Sequence, residues 1–147
     1  KDDMNDVLEK IIRAEALVVS GFPTFFSVNA LTKTFIERMY PLKHNKMLTR
    51  GKLGIVVAGG FREPDVVADY LSFFFSWFKM ELLGTLKIGG NAPCLSCGYG
   101  ETCDYSNVTI MHGEGAQIKS EMFYSFENDE DSKQEALLLG QRLGAAL

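Results

Sequence analysis

Ala16-Leu17-Val18-Val19-Ser20-Gly21-Phe22-Pro23-Thr24-Phe25-Phe26-Ser27-Val28-Asn29-Ala30, running on through Leu31-Thr32-Lys33-Thr34-Phe35-Ile36-Glu37-Arg38, reads as a strand, a loop and a helix in succession. The apolar run 16–20 has no polar alternation, as expected of a parallel strand covered by helices on both faces. It stops at Gly21, turns through Pro23, presents two aromatic rings, and a helix starts behind Ser27 or Asn29. In an open α/β sheet, ligands bind in the crevice outside the carboxyl ends of the strands. An aromatic loop at that place is a platform for a flat ligand.

The rest of the chain repeats the alternation. Upstream, Met4, Val7, Leu8, Ile11 and Ile12 recur at helical spacing, and Asp2 or Asp3 is placed to cap that helix. Downstream, Pro41 and the polar run 43–46 mark a surface connection. A second buried strand follows over 53–58 and ends in Gly59-Gly60. Pro64 opens a third helix, with Val67, Leu71, Phe74, Phe75 and Phe78 on one face and Ser72, Ser76 and Lys79 turned away. The segment 82–88 reads as a third strand, 89–100 as loop, and 108–111 and 122–126 carry weak strand character, as a hairpin or irregular packing. Ala136, Leu139, Leu143 and Ala146 give a closing helix over 130–147. Strands alternating with helices predict a doubly wound parallel sheet of three layers, α/β/α, with right-handed crossovers.

The 147 residues, 46% of them hydrophobic and 12% aromatic, suffice for one domain, 1–147, with a Cys-rich loop over 91–104. A net charge of −4 argues against a general nucleic-acid binder. The charge is uneven: residues 33–52 hold six Lys or Arg against Glu37 alone, whereas 114–135 is acidic. Solvated surface is one account of both clusters; attraction of an anionic nucleotide or a partner to the basic stretch is another. No apolar run approaches the ~18 residues of a membrane span and no signal-peptide pattern is present, so no membrane association is expected. Three cysteines within ten residues suit a reducing compartment better than a disulfide framework, which points to a cytoplasmic protein.

Two loops carry the candidate chemistry. Pro23, Thr24, Phe25, Phe26, Ser27, Val28 and Asn29 follow the first strand; Gly59, Gly60, Phe61 and Arg62 follow the second. Glycines allow a backbone to approach a planar ligand closely, and aromatic rings stack on a π-system. Core packing of the phenylalanines and an ordinary Gly-Gly turn are the plain alternatives. A third constellation is Cys94, Cys97 and Cys103, a C-x2-C-x5-C pattern in a Gly-rich loop. Three readings stay open for it: reduced thiols without function, a metal or cluster site with His112 as a possible fourth zinc ligand, and a Cys94/Cys97 dithiol. His44 is read as surface, Trp77 as a half-buried helix anchor, and no residue is assigned a catalytic role.

Pro23, Phe25, Phe26, Ser27, Lys33, Phe35, Ile36, Glu37 and Arg38 match a loop and helix of the NADPH-dependent FMN reductases and iron-sulfur flavoproteins, with Thr24 and Val28 at variable positions. The chain resembles that branch of the flavodoxin-like fold over about residues 1–90. The resemblance implies that FMN lies between the two loops, the first along its dimethylbenzene and central rings and the second around its pyrimidine end through backbone groups. It implies an oxidoreductase moving electrons between NAD(P)H or a ferredoxin-like partner and an acceptor. One alternative is a non-enzymatic electron-transfer or redox-sensing module, and a further one is a structural α/β fragment that binds no cofactor. It further implies a homo-oligomer in which the helix bearing Lys33 and Arg38 lies at a subunit contact; simple surface charge is the other reading of those two residues.

In a flavodoxin-like sheet of order 2-1-3-4-5, the strands here correspond to the third, fourth and fifth. The first two, with the phosphate-binding loop, are then expected upstream of Lys1, where the iron-sulfur flavoproteins also carry their Cys-rich cluster segment. The first strand read here is then left with a bare edge, to be filled by a longer polypeptide, the favoured reading, or by another strand or chain.

Overall fold

In the computed structural model, which describes residues 3–147, the run at 16–21 is a strand, β1 (Ala16–Gly21). It is followed by a small hairpin, β2 (Pro23–Thr24) and β3 (Ser27–Val28), and by the helices α2 (Ala30–Arg38) and α3 (Tyr40–His44). Upstream lies α1 (Met4–Arg13). The chain continues through β4 (Leu53–Gly59), α4 (Pro64–Trp77), β5 (Glu81–Ile88), α5 (Asn107–His112) and α6 (Glu130–Ala146).

The strands form a parallel sheet in the order β1-β4-β5, with Ala16 opposite Leu53 and Leu53 opposite Glu81. Alternation along β4 assigns its two faces, since successive side chains point oppositely. Val56 and Ala58 join Met4, Ile11, Val67, Leu71, Phe74 and Phe75 in the larger core, beneath α1 and α4. Ile55 joins Leu86 and Leu139, beneath α6. The sheet therefore has helices on both faces, the three-layer flavodoxin-like arrangement. Gly54 is required by this packing: a Cβ there would overlap the Phe75 ring.

The α4 stripe read from spacing is buried in full, Val67, Leu71, Phe74, Phe75 and Phe78 all being core residues. Trp77 is 52% exposed, stacked on Phe73 and covered by the Lys43 ammonium. β1 lies at the edge of the sheet, and the expected cover on both its faces is not found: only Val19 is buried, and Val18 on the opposite face is 60% exposed because α6 packs on β5 and does not reach it.

Several expectations are corrected. The connection after α2 contains the short helix α3, whose Leu42 is buried. Residues 108–111 belong to a helix, not a strand, because the buried Ser106 hydroxyl caps α5 by accepting from the Val108 N–H. Residues 122–126 pair with nothing as a strand; they link two 3-10 turns, Ser120–Met122 and Phe126–Asn128. Asp3 stands at the N-cap of α1 without a side-chain capping bond, and Asp2 lies outside the described residues. No helix among the described residues is long and apolar enough to cross a membrane.

Candidate functional site

The carboxyl ends of β1, β4 and β5 release three loops toward the same side, and the loops touch. A Cβ added to Gly60 would fall 2.5 Å from the Pro23 ring, and one added to Gly90 would fall 2.8 Å from the carbonyl carbon of Gly60. Glycine is needed at both places because one backbone packs directly on its neighbour. Above this contact opens a cavity of about 610 Å³, within the range of small-molecule sites. Its walls are Phe22 to Phe26 from the first loop, Gly59 to Glu63 from the second, and Gly89, Gly90, Asn91 and Pro93 from the third.

The hairpin that forms the first wall has an unusual turn. Phe25 and Phe26 occupy the two central positions, with φ of 50° and 59°, both left-handed. A turn with positive φ at both centres is the one whose twist matches a hairpin, and it is normally filled by Asn-Gly. Placing two phenylalanines there costs about 1–2 kcal/mol per residue. Burial offers nothing in return, since the side chains are 96% and 75% exposed. They stand over the cavity with their faces unoccupied by protein.

Of the residues singled out from sequence, Pro23, Thr24, Phe25, Phe26, Gly59, Gly60, Phe61 and Arg62 line the cavity together. Ser27, Val28 and Asn29 do not. Ser27 pairs with Thr24 across the hairpin, and Val28 is buried in the core under α4. Asn29 is the N-cap of α2; its Oδ1 accepts from the Phe22 N–H at 3.5 Å and from the Thr32 hydroxyl at 2.7 Å, pinning the base of the loop. These three residues shape the wall from behind.

The third loop was not read from sequence as part of the site, although Gly89-Gly90 after β5 repeats the Gly59-Gly60 signal after β4. It is fastened from below. The Asn91 Oδ1 accepts from the Tyr124 N–H at 2.7 Å, and the Asn91 side-chain amide donates to the Tyr124 carbonyl at 3.2 Å. The Tyr124 hydroxyl donates to Asp129 at 2.8 Å, tying the loop to the start of α6. Burial, with the Asp129 carboxylate beside it, holds the Tyr124 hydroxyl above the usual tyrosine range.

Charge in the site comes from Arg62, whose guanidinium lies 5.2 Å from the Phe61 ring centre, and from Glu63, at φ 57° at the N-cap of α4. Lys33 is turned elsewhere: it donates to the Tyr70 hydroxyl and pairs with Glu37, and the Tyr70 bond above all raises its pKa. Arg38 stands exposed at the end of α2.

The cysteines are not gathered into a metal site. Cys94, Cys97 and Cys103 are all free thiols, and no group of three or more His, Cys, Asp or Glu among the described residues is arranged to hold a metal ion. Cys97 is exposed while Cys94 and Cys103 are part-buried. His112 ends α5.

A cavity at the strand ends, walled by a strained aromatic turn and by glycine backbones, suits a planar ring. No protein-family model matches the chain. Over 74 residues it is 35% identical to an iron-sulfur flavoprotein of Archaeoglobus fulgidus, a match covering 49% of this chain and 33% of that one. The structure of a Trp repressor binding protein from Bacillus subtilis superimposes with a TM-score of 0.55 at 20% identity, covering 62% of this chain and 65% of the other, a likeness of fold. The chain thus spans about a third of the length of the curated relative it matches. Over its matched part the chain is similar to an iron-sulfur flavoprotein, and its sheet has the flavodoxin-like arrangement.

Proposed function

We propose that the cavity at the ends of β1, β4 and β5 binds the ring of FMN and that the chain serves an FMN-dependent oxidoreductase using NAD(P)H or a redox protein as donor. The observation that carries this is the Phe25–Phe26 turn: two strained, exposed aromatic side chains beside a cavity are the arrangement in which strain is kept for a ligand. Bound there, a flavin supplies the capacity to accept a hydride or single electrons and pass them on.

The protein's own contribution is positional. Phe25 and Phe26 offer faces for stacking, while the bare backbones of Gly60 and Gly90 let the ring approach without a side chain between. Arg62 places a positive charge on the wall, which favours a ring gaining electron density. No side chain here needs to transfer a proton, consistent with a wall whose hydroxyl-bearing residue is Thr24. A homo-oligomeric assembly, a ferredoxin-like partner and a cytoplasmic location belong to the same proposal, on the strength of the resemblance.

The test is a flavin titration of the purified chain. Quenching of FMN fluorescence with a perturbed visible spectrum, followed by bleaching of the bound flavin with NADPH, is the expected result. Absence of binding at millimolar FMN overturns the site. Binding without oxidation of NADPH, but with electron exchange with a reduced ferredoxin, favours a carrier over a reductase.

A further inference from the structure

Immediately beyond the third wall of the cavity, Pro93 opens a 3-10 turn, Pro93–Leu95, that carries Cys94 and delivers Cys97 two residues after its end. The Cys94 sulfur is held from one side by Asn107: the backbone N–H donates to Sγ at 3.3 Å and the side-chain amide lies 3.7 Å away. Cys97 lies against the same residue, its thiol 3.5 Å from the Cys94 carbonyl oxygen, and the Tyr99 N–H approaches the Cys97 sulfur at 3.4 Å. Gly100 packs its backbone onto the Cys94 carbonyl so closely that no Cβ would fit, and Gly98 turns the chain at φ 82°. The turn is thus folded back on itself with both sulfurs on it.

We propose that Cys94 and Cys97 form a thiol–disulfide redox site that reduces low-molecular-weight disulfides, with Cys94 as the attacking thiol and Cys97 as the resolving one. The assignment of roles follows from surroundings. Hydrogen bonds to sulfur stabilise the thiolate, which is the nucleophilic form. The Asn107 N–H, first among the causes, holds the Cys94 thiol below the ordinary cysteine range, with the Ser106 hydroxyl adding to it against the opposing effect of part-burial. Cys97 is exposed and adjacent, as a resolving thiol must be. Cys103 belongs to a different turn, its carbonyl accepting from the Ser106 N–H at 3.0 Å.

The reaction balances without another reagent. The Cys94 thiolate attacks one sulfur of R–S–S–R, forming Cys94–S–S–R and releasing RS⁻. The Cys97 thiolate then attacks Cys94 Sγ, forming the Cys94–Cys97 disulfide and releasing the second RS⁻; the protons of the two protein thiols go to the two released thiolates. Two electrons pass from the protein to the small disulfide. This site is independent of flavin binding.

The experiment uses the whole chain, reduced, equilibrated with glutathione disulfide and quenched with an alkylating agent. Cleavage after Lys87, Glu101, Glu114 and Lys119 separates the peptide 88–101, with Cys94 and Cys97, from 102–114, with Cys103. The expected product is an unalkylated 88–101 peptide lighter by two hydrogens, with Cys103 alkylated. A Cys97→Ser variant is expected to accumulate glutathione on Cys94, and Cys94→Ser to react with glutathione disulfide about tenfold or more slowly than wild type. Cys103→Ser is expected to leave the 88–101 product unchanged. A cross-link between the two peptides, a stable glutathione adduct on the wild-type chain, or no oxidation at all overturns the proposal. The wild-type mapping decides it even if a variant fails to fold.

Discussion

Phe25 and Phe26 sit where a hairpin turn ordinarily takes Asn and Gly, and the consequence is a prediction in which stability and binding move oppositely. Replacing the pair, Phe25→Asn with Phe26→Gly, removes a left-handed penalty of about 1–2 kcal/mol per residue. Little packing is lost, because both rings are exposed. Thermal unfolding of the double variant is therefore expected at or above the wild-type midpoint. Two stacking contacts of about 0.5–1.5 kcal/mol each vanish, so FMN affinity falls between about fivefold and 150-fold in a fluorescence titration. A variant that loses stability and keeps its affinity would mean the rings serve the fold. The opposite case is Gly90→Ala. Its new methyl meets the Gly60 backbone, which cannot rotate away, so a loss of about 1–3 kcal/mol by chemical denaturation is expected together with weaker flavin binding. The aromatic pair and the Gly59-Gly60 loop were legible in the sequence, since residue type alone announced them. The positive φ values were not: Phe-Phe is a poor sequence signal for such a turn, and only the hairpin pairing of Thr24 with Ser27 imposes it.

Elements were legible where one hydrophobic period dominated and illegible where a local hydrogen bond decided. The α4 stripe and the three strands were of the first kind. Val108-Thr109-Ile110 was of the second. Three β-branched residues in a row favour a strand by propensity. The Ser106 cap and the Cys103 turn before it set the helix instead. The loop from Gly89 showed only its Gly89-Gly90 pair in the sequence, and its place in the site stayed hidden because its anchors, Tyr124 and Asp129, lie more than thirty residues on. Those anchors carry a pH prediction. Asp129 caps α6, and the Ser132 N–H first, then the Ser132 and Tyr124 hydroxyls, hold its carboxyl below the ordinary aspartate value. A depressed folded pKa contributes stability that is fully present above the unfolded value, about pH 4, and is lost as pH falls through the folded one. Asp129→Ala is expected to lower the melting midpoint at pH 7, and the gap from wild type should close as pH falls below about 4. A gap that stays constant with pH would exclude the carboxylate as its source.

At the scale of the molecule, three parallel strands with helices on both faces suffice to bring three loops to one side, and that convergence is what the alternation of strand and helix foretold. The same arrangement sets what part of a nucleotide the chain can hold. The cavity walls supply aromatic faces, glycine backbones and one arginine, all suited to a ring; they contain a single hydroxyl residue, Thr24, and the helix start that reaches them, that of α4, is fronted by the acidic Glu63, which disfavours a phosphate. The resemblance places phosphate binding in a loop ahead of the first strand read here. If the ring alone is recognised, the terminal phosphate adds little affinity, and FMN and riboflavin should bind within about tenfold of one another, a difference of about 1.4 kcal/mol. Thermal shifts read the same quantity, since a ligand raises stability by RT ln(1 + [L]/Kd), so equal concentrations of the two flavins should give nearly equal shifts. The affinity ratio should also vary little with salt, because a phosphate ion pair would weaken as ionic strength rises and stacking would not. A preference for FMN of a hundredfold or more, lost at high salt, would place a phosphate site within these residues, with Arg62 the first to replace.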